Sequence, residues 1–189
     1  MNRHSRSIVL IGMMGAGKSA VGRCLQRRTG FVQFETDEMV RSKFGMSISN
    51  IFSTHSEDKF REAETETLRN LSPDQGAIIV TGGGIVLREE NIDLLKRFGV
   101  VVWLEADEKT LFKRASQTGN RPLLQRKNPK RAFTKMLRAR LPLYAKIADI
   151  RIDTSELTDE EVAVAILSKF KKYRRKSGPV SPYRLQHDD

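Results

Sequence analysis

The residues best suited to chemistry lie near the start of the chain, in Gly12-Met13-Met14-Gly15-Ala16-Gly17-Lys18-Ser19. This segment has the spacing of a phosphate-binding loop, GxxxxGKS. In such a loop, the glycines let successive backbone N–H groups turn toward phosphate oxygens, and the N-terminus of the next helix attracts negative charge. Lys18 can then reach the β- and γ-phosphates, and the Ser19 hydroxyl can ligate Mg²⁺. The predicted ATP contacts in this segment and directly after it are Gly12, Gly15, Ala16, Gly17, Lys18, Ser19 and Ala20.

Several further motifs follow the phosphate loop along the chain. They are Glu35-Thr36-Asp37, Phe60-Arg61-Glu62-Ala63-Glu64, Gly82-Gly83-Gly84, Arg121-Pro122-Leu123-Leu124 and Arg140-Leu141-Pro142-Leu143-Tyr144. Each motif alone is weak, but their order and spacing from about Ile8 to Asp153 are specific, and together they resemble the shikimate kinase family. The resemblance implies ATP-dependent phosphorylation of the 3-hydroxyl of shikimate, a step of chorismate and aromatic amino-acid biosynthesis.

The resemblance implies a shikimate site made of charged side chains and glycine backbone. Asp37 would bind ring hydroxyls, since a carboxylate can orient a hydroxyl and accept its proton; the alternative is a helix N-cap. Arg61 and Arg140 would clamp the carboxylate of shikimate, because a guanidinium pairs bidentately with it. A local ion pair for Arg61 and a solvated helix face for Arg140 are the simpler alternatives. Gly82–Gly84 would approach shikimate through backbone N–H groups; the alternative is a flexible turn.

The resemblance also implies two arginines at the nucleotide. Arg121 lies in a polar stretch bounded by prolines, residues 120–129, which we expect to be a mobile loop. There it would close over ATP as part of a lid at about 115–129, stabilise charge on the transferred phosphoryl group and exclude water. Arg114 would pack on the adenine; an exposed helix residue is the alternative. The predicted catalytic residues are thus Lys18, Asp37 and Arg121.

The predicted metal site departs from the family pattern. Shikimate kinases usually have Asp-x-Asp where this chain has Glu35-Thr36-Asp37. The first acid is expected to act on one Mg²⁺ per subunit, often through water. Glu35 keeps the charge but adds a methylene, which a water-bridged ion tolerates better than direct coordination does. We therefore predict Ser19 and Glu35 as the metal residues, with Glu35 acting through water.

The elements around these motifs indicate how they are positioned. Strand-like apolar segments at 7–11, 31–34, 77–81, 100–104 and 150–153 alternate with helical patterns, which is typical of parallel strands joined by crossover helices. We expect an α/β fold with a five-stranded parallel sheet, helices on both faces, and ligands beyond the carboxyl ends of the strands. The resemblance refines this to a P-loop, nucleoside-monophosphate-kinase-like domain over 1–174. Its acceptor-binding helical region would span about 35–64, and 175–189 would be a basic, disordered tail.

Composition narrows the functional classes. The 189 residues suit one domain, and no apolar run approaches the roughly 20 residues of a membrane span. Cys24 is the only cysteine, which excludes an intrachain disulfide and favours a reducing compartment, here the cytoplasm.

The net charge of +11 suits a protein that binds either nucleic acid or small anions. Seven basic and two acidic residues fall within 169–189, however, where a solvated terminus is the simpler interpretation. We expect a monomer whose partners are ATP and shikimate, without nucleic acid or membrane.

Two other functions are compatible with the phosphate loop. A kinase for another small acceptor, such as gluconate or a nucleoside monophosphate, should lack the combination of Asp37, Arg61, the three glycines and Arg140. A non-catalytic P-loop binding protein with a nucleic-acid-binding tail would not need Lys18, Ser19, Asp37 and Arg121 all to be retained.

Overall fold

A computed structural model describes residues 7–73, 76–117 and 127–176. Residues 177–189 of the predicted tail and residues 118–126 of the predicted lid, including Arg121, lie outside these ranges. The elements of the described part are β1 (Ser7–Ile11), α1 (Lys18–Thr29), β2 (Val32–Glu35), α2 (Thr36–Phe44), α3 (Ile48–Thr54), α4 (Glu57–Asn70), β3 (Ala77–Val80), a 3₁₀ turn (Ile85–Leu87), α5 (Glu89–Phe98), β4 (Gly99–Glu105), α6 (Glu108–Gln117), α7 (Pro129–Ile147), β5 (Ile150–Asp153) and α8 (Asp159–Lys176).

The strands form one parallel sheet in the order β2-β3-β1-β4-β5, as predicted. Val9 in the central strand lies opposite Ile79 on one side and Val101 on the other. All five residues of β1 are buried, because helices cover both faces of a parallel sheet. After β1 the chain crosses toward the edge of the sheet that β2 forms, whereas after β3 it crosses in the opposite direction, toward β4. Right-handed crossovers therefore place helices on opposite faces and open a crevice between the carboxyl ends of β1 and β3.

The helix starts follow the signals in the sequence. The Ser56 hydroxyl accepts a hydrogen bond from the backbone of α4, and the Asp107 carboxylate accepts one from the backbone of α6. Thr158 and Glu161, which have the three-residue spacing of a capping box, form one at the start of α8. Each signal lies in the few residues next to the helix terminus, so no tertiary information was needed to predict it.

Several element boundaries differ from the prediction. Among the strands, β2 lies one residue later than 31–34, β3 ends at Val80, and β4 is one residue longer at each end than 100–104. Helix α2 begins at Thr36 with Glu35 as its N-cap, so the interpretation of Asp37 as an N-cap is wrong. The 3₁₀ turn Ile85–Leu87 is too short to produce a helical period in the sequence. Helix α8 runs to Lys176, two residues into the tail predicted at 175–189, and the Tyr173 hydroxyl donates to Asp149 near the end of the helix.

The helices after β2 have a small apolar core of their own. Val40, Ile51, Phe60 and Ala63 are buried together, apart from the main core that surrounds the sheet. Helices α2, α3 and α4 meet there, in the region predicted to bind the acceptor. Among the helices of the described ranges, none combines the length and the apolar character needed to cross a bilayer.

The sheet predicts that two valines contribute differently to the free energy of unfolding. Val101 in β4 is fully buried, whereas Val32 on the edge strand β2 is 58% exposed. Val101→Ala removes buried methyl groups and leaves a cavity, so it should lower the free energy of unfolding by about 2–3 kcal/mol. Val32→Ala should change it by less than about 0.5 kcal/mol. Urea denaturation measures both, and equal losses would contradict this sheet order.

Candidate active site

The phosphate loop joins the end of β1 to the start of α1. Gly15 has φ +86°, in the left-handed region, and a Cβ there would also clash with the carbonyl oxygen of Leu111. Glycine is therefore required for both conformation and space. The Lys18 ammonium group donates to the carbonyl oxygens of Gly12 at 2.8 Å and Met13 at 3.1 Å. These contacts hold the lysine at the mouth of the loop, where it can reach a bound phosphate.

The predicted metal residues are adjacent at this loop. The Ser19 hydroxyl donates to Glu35 Oε2 at 2.8 Å, because the end of β2 lies beside the start of α1. Both side chains offer oxygen ligands, which Mg²⁺ prefers, so the donor set fits this ion. In the described ranges, no group of three or more His, Cys, Asp or Glu side chains could hold a metal. An ion here would therefore take its remaining ligands from nucleotide phosphates and water.

The three glycines after β3 are the point at which the predicted acceptor residues meet. A Cβ at Gly82 would clash with Asp37 Oδ1, and a Cβ at Gly84 would clash with the Arg61 guanidinium. A Cβ at Gly83 would lie 3.6 Å from Arg140 Nη1. Side chains from three different helices thus converge on one short stretch of bare backbone. This arrangement argues against a merely flexible turn.

The converging residues also lie next to the phosphate loop. A Cβ at Gly83 would lie 3.4 Å from the carbonyl oxygen of Gly12 and 3.5 Å from the backbone nitrogen of Met14. The two glycine-rich segments follow β1 and β3, the neighbouring strands that border the crevice. An acceptor held by Asp37, Arg61 and Arg140 would therefore be directly beside a phosphate bound in the loop.

Arg61 forms the local ion pairs proposed as the simpler alternative, and it also lies at the glycines. Its guanidinium pairs with Glu64 one turn along α4 and with Glu57 at 3.1 Å. The residue is only 9% exposed, with the guanidinium carbon 5.2 Å from the centre of the Phe60 ring. The ion pairs therefore fix a buried guanidinium in place at Gly84.

Arg140 is buried, so the interpretation as a solvated helix face is wrong. It is 7% exposed, and its Nη1 lies 4.0 Å from Met13 Sδ in the phosphate loop. Burial lowers the pKa of Arg140, and the charge of Arg61 acts in the same direction. Within the described residues, Arg140 forms no ion pair with a carboxylate. The two buried cations of the site are therefore paired unequally: Arg61 has two carboxylate partners, whereas Arg140 has none among the described residues.

Two residues of the site were quoted in the sequence motifs but not predicted as functional. The Tyr144 hydroxyl donates to the carbonyl oxygen of Gly83, and Tyr144 lies one helical turn after Arg140. Glu64 is fully buried and holds Arg61. Helical spacing was the available signal, because residues three or four apart share a face.

Arg114 is half-buried and not an exposed helix residue. Its guanidinium donates to the Thr154 hydroxyl at 3.1 Å and to the Thr154 carbonyl oxygen at 2.9 Å. Arg114 therefore attaches α6 to the segment that follows β5, beyond the carboxyl edge of the sheet. Packing on adenine at this position stays a prediction.

Comparisons with known proteins agree on one family. A family model described as shikimate kinase matches residues 14–171. The shikimate kinase of Thermodesulfovibrio yellowstonii is 45% identical over 167 residues, which cover 88% of this chain and 96% of that protein. The shikimate kinase of Symbiobacterium thermophilum is 39% identical, with coverage of 88% and 97%.

Solved structures give the same result. The shikimate kinase of Acinetobacter baumannii in complex with shikimate superposes with a TM-score of 0.84 and 34% identity, covering 90% of this chain and 95% of that one. A gluconokinase from Sinorhizobium meliloti superposes with a TM-score of 0.60 and 18% identity over 93% and 97% of the chains. At 18% identity, the similarity to the gluconokinase shows a shared fold alone.

The buried Glu64 carboxyl predicts a pH-dependent stability. Burial raises the pKa of Glu64 to about 7, with Arg61 opposing and Asp37 adding to the rise. Below about pH 4.5 the carboxyl is protonated in folded and unfolded chains alike. As pH rises toward 7, the unfolded chain loses this proton before the folded chain does. The contribution of Glu64 to the free energy of unfolding therefore falls over this range and is lost above the pKa of the folded state.

The test compares wild type with Glu64→Gln, which cannot ionise. The free energy of unfolding of wild type minus that of Glu64→Gln should fall by about 3 kcal/mol between pH 4.5 and 8, measured by urea denaturation. Glu62→Gln, on the exposed side of the same helix, should give a nearly constant difference. A pH-independent difference for Glu64→Gln would show that Glu64 stays ionised throughout.

Proposed function

This chain belongs to the shikimate kinase family, and we propose that it transfers the γ-phosphate of ATP to the 3-hydroxyl of shikimate. The products are ADP and shikimate 3-phosphate, an intermediate on the route to chorismate and the aromatic amino acids. The family resemblance covers most of the chain, and the site has the charges that this acceptor needs.

The observation that carries this proposal is the buried guanidinium of Arg140. A buried cation without an anionic partner is costly, and a carboxylate that pairs with it bidentately offsets this cost. Arg140 lies beside Gly83 and Met13, between the acceptor glycines and the phosphate loop. Shikimate carries one carboxylate, which Arg140 and Arg61 would hold together, while the ring hydroxyls face Asp37.

The reaction follows from this placement. Asp37 orients the acceptor hydroxyl and takes its proton as the new oxygen–phosphorus bond forms. The bond between the γ-phosphorus and the bridging oxygen breaks in line, and ADP leaves with the bonding electrons. Lys18 and the loop N–H groups hold the phosphates, and Arg121 in the predicted lid would add charge there. Catalysis is mainly positioning and electrostatic stabilisation, because no covalent enzyme intermediate is needed.

Ser19 and Glu35 are the residues proposed to hold Mg²⁺, with Glu35 acting through water. Bound Mg²⁺ neutralises part of the phosphate charge during transfer. The hydrogen bond between the two side chains supports the assignment, since it places both oxygen ligands on one side of the loop.

The other expectations remain part of the proposal. Arg114 would pack on the adenine, and residues 115–129 would form the lid. The protein would act as a monomer in the cytoplasm without nucleic acid.

Acceptor preference tests the proposed function directly. ADP release is measured with shikimate, gluconate and AMP as acceptors at saturating Mg²⁺ and ATP. We expect kcat/KM for shikimate to exceed the other two by at least about 100-fold, because a site built for one set of polar groups leaves its buried charges unpaired with another. Comparable turnover with gluconate, or ATP hydrolysis without transfer to any acceptor, would refute the assignment.

Arg140→Lys tests the carboxylate clamp. Lysine keeps the positive charge but lacks the planar fork, so KM for shikimate should rise about 10- to 100-fold while KM for ATP changes less than about twofold. Arg138→Lys is the matched control, because Arg138 is exposed on the same helix. Steady-state kinetics with each substrate varied in turn separate the two constants. An unchanged KM for shikimate would remove Arg140 from the acceptor site.

A further inference from the structure

We infer that Gln33 is a positioning residue for the metal-binding acid Glu35. The inference rests on the proposed use of ATP and Mg²⁺. It concerns how this chain holds a glutamate where its relatives usually have an aspartate. Gln33 precedes Glu35 by two residues on β2, so the two side chains lie on the same face of the strand.

The Glu35 carboxylate has a separate donor for each oxygen. Gln33 Nε2 donates to Oε1 at 2.8 Å, and the Ser19 hydroxyl donates to Oε2 at 2.8 Å. Two donors from different elements fix both the position and the rotation of the carboxylate plane. Ser19 alone would fix one oxygen and leave the other free to turn.

Gln33 is itself held in place beneath α1. A Cβ at Gly22 would lie 3.0 Å from Gln33 Oε1 and 2.8 Å from Val80 Cγ2. The missing side chain at Gly22 therefore leaves the room that the Gln33 amide occupies. The amide is packed between helix and strand, and its free end points along β2 to Glu35.

Packing alone does not explain an amide at this position. Gln33 Oε1 is buried and accepts no hydrogen bond within the part of the chain that the structure describes. A buried acceptor without a donor is unfavourable, so an apolar side chain of similar shape would suit the packing better. The contact that an apolar side chain cannot replace is the donation from Nε2 to Glu35.

A neutral donor suits the task better than a charged one. Glutamate has one more rotatable bond than aspartate, so its carboxylate needs an additional restraint to stay at the phosphate loop. A lysine or arginine would supply the restraint but would also cancel the negative charge that attracts Mg²⁺. An amide restrains the carboxylate and leaves its charge available, as outer hydrogen bonds do around metal ligands.

Metal affinity, rather than turnover, is the most direct test. Electron paramagnetic resonance of free Mn²⁺ measures the affinity of Mn²⁺ for the complex of the full chain with the non-hydrolysable analogue AMP-PNP. Gln33→Met keeps the shape of the side chain but removes the donor, and we expect about tenfold weaker Mn²⁺ binding. Affinity for AMP-PNP without metal should stay unchanged. Gln26→Met is the matched control, because Gln26 borders the same surface cavity as Gln33 and Glu35 but is exposed.

Repeating the Gln33→Met substitution in a Glu35→Asp variant separates the positioning of Glu35 from a general structural effect. In the Glu35→Asp background the shorter carboxylate lies beyond the reach of Gln33, so Gln33→Met should then change Mn²⁺ affinity by less than about twofold. Equal losses in both backgrounds would overturn the inference. Should Gln33→Met fail to fold in a thermal melt, Gln33→Asn replaces it, since its shorter amide should give the same loss.

The outcomes distinguish this inference from the proposed function. If wild type binds Mn²⁺ with AMP-PNP and Gln33→Met binds it equally well, the role of Gln33 is refuted and the kinase assignment stands. If wild type binds no Mn²⁺ with AMP-PNP, both are refuted.

Discussion

The acceptor site depends on a stretch of backbone without side chains, Gly82–Gly84. Asp37, Arg61 and Arg140 approach these glycines from three helices, and a single β-carbon at either end would displace a charged group. The middle glycine also borders the phosphate loop, so the same three residues bring the two halves of the site together. Close approach of this kind is possible only because β1 and β3 are neighbours whose crossovers leave in opposite directions.

The charges brought together there are unequally paired. Glu64 and Glu57 compensate Arg61, whereas Arg140 has the Tyr144 hydroxyl nearby and no carboxylate partner among the described residues. Glu64 is placed between Arg61, which favours its ionised form, and Asp37, which opposes it. An acceptor carboxylate would complete the pairing of the arginines without adding a charge beside Asp37, since the acceptor presents neutral hydroxyls on that side. The distribution of charge therefore supports the proposed acceptor and its proposed orientation.

Local signals in the sequence were enough to predict most of the fold. The phosphate loop and the apolar strands each depend on neighbouring residues, and the structure has them within one residue of where they were expected. Arg61 and Arg140 were ambiguous, because the sequence around each also fits an exposed helix. Their burial results from the packing of α4 and α7 beside the triple glycine, a contact between segments distant in sequence. Glu64 and Tyr144 were missed for the same reason, although each lies one helical turn from an arginine that was predicted.

Gln33 shows a further limit of local reasoning. Glu35 was recognised as a departure from the family pattern, but its support could not be, since a glutamine on an edge strand has no distinctive spacing. The support depends on Gly22, whose missing side chain makes room for the amide, and on Ser19, which contacts the other carboxylate oxygen. Gly22 and Ser19 belong to α1, whereas Gln33 and Glu35 belong to β2, and these two elements meet only after folding. In the proposed metal site, Gln33 and Gly22 would accommodate the longer acid without touching the ion, and sequence comparison confined to the ligand positions would not detect their role.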